Sequence, residues 1–157
     1  MRHETIKLEL TAAGYDELTE RERRLVDAAR AAVEGSYAPY SNFHVGAAVL
    51  LDNGEIVKGA NQENAATPSS LCAERTAAYW AHANFPAARF EAIAIAARDA
   101  SGREVEAPIS PCGACRQALL QYETLAGHDV KVILAGSREI YIAPSVKSLL
   151  PLAFTEF

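Results

Sequence analysis

The chain has 157 residues, half of them hydrophobic and 22% charged, which suits one domain with a substantial core spanning 1–157. Its net charge of −5, without any basic stripe interleaved with aromatics, argues against nucleic-acid binding, which draws its affinity from neutralised phosphates. No apolar run approaches the ~18 residues of a membrane span, the first residues lead into no signal-peptide core, and three unpaired-looking cysteines fit a reducing compartment, so a cytoplasmic protein is expected.

Taken in order, residues 5–10 alternate, with Ile6, Leu8 and Leu10 on one side, and read as a short strand. Residues 1–17 form an N-terminal extension that can add an edge strand, and 11–15 read as a loop. Thr19 with Glu22 makes a capping box. The helix it opens carries Leu25, Val26, Ala29, Ala32 and Val33 as its apolar stripe and stops at Gly35. Arg21, Arg23 and Arg24 alternate with Glu20 and Glu22, the composition of a solvated helix face.

An irregular aromatic segment over 36–43 leads to an apolar strand over 45–51. Asn53-Gly54 is a hairpin turn, and residues 55–59 return. Asn61-Gln62-Glu63-Asn64 follows directly, polar residues at a strand end where α/β proteins place ligand contacts. A helix is predicted over 72–84, with Ala73, Ala77, Ala78 and Ala81 allowing close packing on a sheet. Residues 90–97 form a continuous apolar strand, the signature of a sheet covered on both faces. A polar loop over 99–110 precedes a helix over 114–121, strands over 130–135 and 139–143, and a last short helix capped by Ser145. This order predicts an α/β fold of three layers, α/β/α, around a mixed, about five-stranded central sheet.

All three cysteines fall in two short patches that each open a helix: Cys72-Ala73-Glu74-Arg75 and Pro111-Cys112-Gly113-Ala114-Cys115. A lone Cys-x-x-Cys is also compatible with a redox pair, half a zinc ribbon or two buried thiols. A redox pair leaves Cys72 unexplained, and a structural zinc wants a fourth ligand. No fourth cysteine exists, and His3, His44, His82 and His128 have no ligand-like spacing to a cysteine. Three protein ligands with one open position are the arrangement of a catalytic zinc. Glu74, two residues after Cys72, is placed to carry protons beside it, as in the x-x-Glu and Pro-Cys-x-x-Cys pattern of zinc deaminases. Three thiolates outweigh one divalent ion. Helix N-termini offset part of that negative charge, and Arg75 can offset more by donating to a cysteine sulfur.

Ser36-Tyr37-Ala38-Pro39-Tyr40-Ser41-x-Phe43-x-Val45-Gly46-Ala47-Ala48 resembles the opening block of the small homotetrameric cytidine deaminases. Asn61-x-Glu63-Asn64-Ala65, Cys72-Ala73-Glu74-Arg75, Pro111-Cys112-Gly113-Ala114-Cys115-Arg116-Gln117 and Leu149-Leu150-Pro151-x-x-Phe154 are similar to that family's remaining blocks, in order and spacing. The resemblance covers residues 36–154.

It implies zinc-dependent hydrolytic deamination of cytidine and deoxycytidine to the uridine compounds, with release of ammonia, in pyrimidine salvage. It implies one zinc per subunit held by Cys72, Cys112 and Cys115, and Glu74 as the general acid/base. Phe43, Asn61, Glu63, Ala73 and Phe154 would be substrate-binding: Asn61 and Glu63 at the ribose hydroxyl, Phe43 flanking the nucleoside, Phe154 reaching the base in a neighbouring subunit's site. A homotetramer with shared active sites follows from the same resemblance.

Two departures stand out. Thr67 occupies a place, at an inter-subunit contact, where the family usually has an aromatic residue, and the strand-like N-terminal segment is missing from shorter members. Blasticidin S deaminase shares the zinc patches but resembles this chain less at Asn61-Gln62-Glu63-Asn64. A non-enzymatic domain with structural zinc is the alternative of a different class.

Overall fold

The computed structural model describes residues 1–155; the last two positions of the expected 1–157 domain lie outside the described residues. Six strands form one sheet in the order β1-β6-β5-β4-β2-β3. They are β1 (Thr11–Ala13), β2 (His44–Leu51), β3 (Ile56–Ala60), β4 (Phe90–Arg98), β5 (Lys131–Ala135) and β6 (Ile140–Ala143). The helices are α1 (Glu20–Ala32), α2 (Ala73–Asn84) and α3 (Gly113–Ala126). β4 and β5 pair in parallel, and every other strand pair is antiparallel. The sheet is therefore mixed, as expected, with six strands where about five were predicted.

Layering follows from the alternation of side chains along β4. Ala92, Ala94 and Ala96 face one cluster with Leu25, Val26 and Ala29 of α1. Ile93 and Ile95 face the other, with Ala73, Ala77 and Ala81 of α2 and Leu119 of α3. Both faces of the sheet are covered, which is why 90–97 reads as one unbroken apolar run.

Local chemistry sets most element ends. The Thr19 hydroxyl accepts from the Glu22 N–H at 3.3 Å while the Glu22 carboxylate accepts from the Thr19 N–H at 3.0 Å, closing the capping box. α3 runs to Ala126, five residues beyond the predicted end, and stops where Gly127 adopts φ +73°. The last helix is only a 3-10 turn, Lys147–Leu149, with the Ser148 N–H donating to the Ser145 hydroxyl at 3.0 Å.

The predicted strand over 5–10 does not form. The only strand there is β1, in the segment expected to be a loop, pairing Thr11 with Ile142, Ala12 with Tyr141 and Ala13 with Ile140. Continuing that register sets Glu9 opposite Pro144, whose missing N–H cannot extend a ladder. The alternation of Ile6, Leu8 and Leu10 is real, but the sheet offers it no partner.

Two buried devices fix the layers that matter for the site. The Glu123 carboxylate, inside α3, accepts from the N–H groups of Val130, Val146 and Lys147 at 2.9, 2.7 and 2.9 Å. It thus ties α3 to the start of β5 and to the final turn. Gly59 lets α2 lie directly on the sheet: a Cβ there would stand 2.3 Å from the Ala77 nitrogen and 2.9 Å from the Ala73 oxygen. Gly59→Ala must lift α2 off β3, and overpacking of this kind costs about 2 kcal/mol. The expected result in urea unfolding is a clearly lower midpoint with an unchanged slope; an unchanged midpoint would show that α2 has room to give.

Candidate active site

β2 runs antiparallel to both β3 and β4, so β3 and β4 point the same way and their C-terminal ends open at one end of the sheet. The chain leaving β3 delivers Cys72 to the N-cap of α2, and the chain leaving β4 delivers Cys112 to the N-cap of α3. Both caps are extended (ψ 153° and 165°), and neither side chain makes a capping hydrogen bond. Their sulfurs are left for another partner. Cys115 sits in the first turn of α3, and the three Sγ atoms lie within 4.8 Å of one another. Cys115 is buried, Cys72 half-buried and Cys112 exposed, and all three are free thiols.

Cys72 and Cys115 share one proton. The Cys115 thiol hydrogen-bonds to Cys72, which with the Arg75 guanidinium brings Cys72 down to about 5 despite its burial. The same interaction, seen from the other side, pushes Cys115 well above the usual thiol range, helped by burial and the Glu74 charge. Cys72 is thus the thiolate of the pair and Cys115 keeps the proton. Arg75 Nη2 donates to Cys72 Sγ at 3.6 Å, and this contact raises the guanidinium's own pKa. Arg75 Nε is buried without a hydrogen-bond partner. Glu74 is 5% exposed; burial first, and the Cys72 charge after it, lift its carboxyl above the usual carboxylate range. Three soft donors in one cluster, at two helix N-termini and beside a cation, fit a thiolate-bound zinc.

A cleft of about 440 Å³ opens beside Cys72 and Arg75, lined also by Tyr40, Asn61, Glu63 and Thr67. Its size suits a small molecule. Of the predicted site residues, Cys72, Cys112, Cys115, Glu74 and Arg75 cluster, and Asn61 and Glu63 join Cys72 and Arg75 along the cleft; Phe43, Ala73 and Phe154 are not among its lining residues.

Asn61 does internal work first. Its Oδ1 accepts from the Val45 N–H at 2.9 Å and the Ser36 hydroxyl at 2.5 Å, and its Nδ2 donates to the Phe43 carbonyl at 3.0 Å. That clamps the aromatic 36–45 segment to the end of β3 and leaves one amide hydrogen for another acceptor. Glu63 accepts from the Tyr40 and Ser41 N–H groups at 2.8 and 3.2 Å. Hydrogen bonding from Ser41 keeps its carboxyl below the usual range.

Arg116 and Gln117, the last two residues of the cysteine motif, hold the loop and the tail in place. Arg116 donates to the Pro111 carbonyl at 2.8 Å, the Ser110 hydroxyl at 2.8 Å and the Leu149 carbonyl at 2.7 Å. Gln117 Nε2 donates to the Phe154 carbonyl at 2.9 Å. Together they bind the cysteine loop and the C-terminal tail to the first turns of α3. Their place directly after Cys115 was the available signal.

The sequence pattern of the cytidine and deoxycytidylate deaminase zinc-binding region matches residues 19–126. A cytidine deaminase of Halalkalibacterium halodurans is 40% identical over 131 residues, 83% of this chain and 92% of its own. One from Sporosarcina psychrophila is 37% identical over 133 residues, 85% of this chain and 90% of its own. The crystal structure of cytidine deaminase from Burkholderia pseudomallei superposes with a TM-score of 0.73 at 38% identity, covering 87% of this chain and 100% of that one. Fold and site thus define a deaminase with a zinc-binding region, and the chain belongs to the cytidine and deoxycytidylate deaminase family.

Metal uptake should carry a pH signature. A thiol must lose its proton to bind zinc, so a proton retained at Cys115 is released on binding, and affinity falls as pH falls. Competition against a chelator between pH 8 and pH 6 should show the apparent zinc affinity dropping at least about tenfold per pH unit, a factor of about ten for each proton released. An affinity flat across that range would mean that the cluster is already fully ionised.

Proposed function

We propose that the chain catalyses zinc-dependent hydrolytic deamination of cytidine and deoxycytidine to uridine and deoxyuridine with release of ammonia. The observation that carries this is the cluster of three cysteine sulfurs beside a buried glutamate, in a chain of the deaminase family. Cys72, Cys112 and Cys115 hold one zinc per subunit, and the bound ion is a Lewis acid that makes water nucleophilic at neutral pH. A blasticidin S-type substrate and a purely structural zinc are not favoured, because the curated relatives are cytidine deaminases.

Glu74 does the proton work. Water adds to C4 of the base, and Glu74 takes the proton it gives up and delivers it to N3. Glu74, ionised again, then takes the second proton from the new C4 hydroxyl and passes it to the amine, so the C4–N4 bond breaks, C4 becomes a carbonyl and ammonia leaves. A carboxyl held above its ordinary range by burial suits both directions of that transfer. Arg75 stabilises the negative sulfur cluster through Cys72. Asn61, with its spare amide hydrogen, and Glu63 bind the ribose hydroxyl from the cleft. Phe43 and Ala73 complete the nucleoside site. The enzyme is cytoplasmic, serves pyrimidine salvage and is a homotetramer.

Phe154 serves the active site of a neighbouring subunit. Its residue is 66% exposed, and its carbonyl is anchored to Gln117, so the tail is held against the first turns of α3 at the surface. Mixing two crippled proteins tests both assignments. Glu74→Ala should keep zinc and fold yet lose nearly all turnover, and Phe154→Ala should be weak through substrate binding. Co-expressed, the two should assemble roughly a quarter of sites with both residues intact, if each site draws on two chains. Loss of zinc in Glu74→Ala would refute its role as proton carrier alone, and a mixture no better than the parents' average would return Phe154 to its own subunit.

A further inference from the structure

β1 lies at the edge of the sheet, and the ten residues before it are exposed and outside any helix or strand. Beyond Thr11 the ladder with β6 cannot continue past Pro144, so this arm overhangs the sheet. It keeps strand alternation nonetheless. Ile6, Leu8 and Leu10 are 59%, 49% and 43% exposed, and Thr5, Lys7 and Glu9 alternate with them. Among the described residues neither Lys7 nor Glu9 has an ion pair or hydrogen bond. An open edge that runs into an alternating apolar segment is a template for another strand.

We infer that the arm pairs antiparallel with the arm of a second copy of this chain, about a two-fold axis at Leu8. The charges and apolar residues select that register. Centred on Leu8, Leu8 faces Leu8, Ile6 faces Leu10, and Lys7 faces Glu9 twice over, once in each direction. Centring on Lys7 or on Glu9 sets like charges face to face, which is unfavourable in directly opposed pairs. Centring on Ile6 sets Glu4 against Leu8, and centring on Leu10 leaves Lys7 and Glu9 without charge partners. In the selected register Thr11 lies opposite Thr5 and Ala12 opposite Glu4, so the open edge of β1 is covered. The two six-stranded sheets join edge to edge through a self-complementary contact.

The test uses charge swaps in the full chain, with sedimentation velocity over a dilution series. Lys7→Glu and Glu9→Lys each set like charges opposite one another in this register. Each should move the dissociation midpoint of the assembly at least about tenfold higher in concentration. The double variant Lys7→Glu with Glu9→Lys recreates both opposed pairs with signs exchanged and should return to within about twofold of wild type. Thermal unfolding of all three should match wild type, since both side chains are exposed. Single variants that assemble like wild type, a double variant as weak as the singles, or a wild-type chain that stays monomeric at every concentration would each overturn the inference.

Discussion

Everything at the site depends on β2 lying antiparallel between β3 and β4. Because those two strands share a direction, the helices that follow them start at the same end of the sheet and on the same face. Sulfurs 40 residues apart in the chain, at Cys72 and Cys112, then meet at two helix N-termini. Small side chains make the meeting close: Gly59 lets α2 rest on β3, and Ala73, Ala77 and Ala81 are fully buried beneath it. A bulkier residue at Gly59, Ala77 or Ala81 would separate the two cysteine patches without changing either.

The second constraint is charge. Three thiolates in one place are unfavourable unless something positive faces them. The chain supplies Arg75 against Cys72 and the unpaired N–H groups of two helix starts. Without metal the same cluster holds a proton at Cys115, and Glu74 is pressed toward its neutral form by burial next to Cys72. The cysteines, Arg75 and Glu74 are therefore one electrostatically coupled group of side chains. Arg116 and Gln117 extend it mechanically, since the turn that positions Cys112 also anchors the tail that carries Phe154.

Much of this was legible in the residues. Thr19 with Glu22, Asn53-Gly54 and the unbroken apolar run of β4 each specify a local structure by known chemistry, and each forms. The cysteine spacing and Glu74 marked the cluster. What was hidden depended on partners distant in sequence. Residues 5–10 have the pattern of a strand, but Pro144 on the far side of the chain decides that it cannot pair there. Asn61 reads as a ligand contact at a strand end, yet most of its hydrogen-bonding capacity holds the 36–45 segment. Glu123 carries no pattern of its own in the sequence, and only the fold brings three backbone N–H groups onto its carboxylate. Helix α3 outruns the predicted 114–121 because Glu123 and Thr124 interrupt its apolar stripe before the stop at Gly127.

The central claim is that the three-sulfur cluster holds the zinc that makes this chain a cytidine deaminase. It is tested most directly by measuring zinc content and ammonia release from cytidine on the same sample, before and after stripping the metal. The account predicts about one zinc per chain, steady ammonia release matched by uridine formation, loss of both zinc and turnover on stripping, and recovery of both when zinc is returned. Full turnover in a protein shown to contain no metal would contradict it, as would a zinc-loaded protein that leaves cytidine untouched.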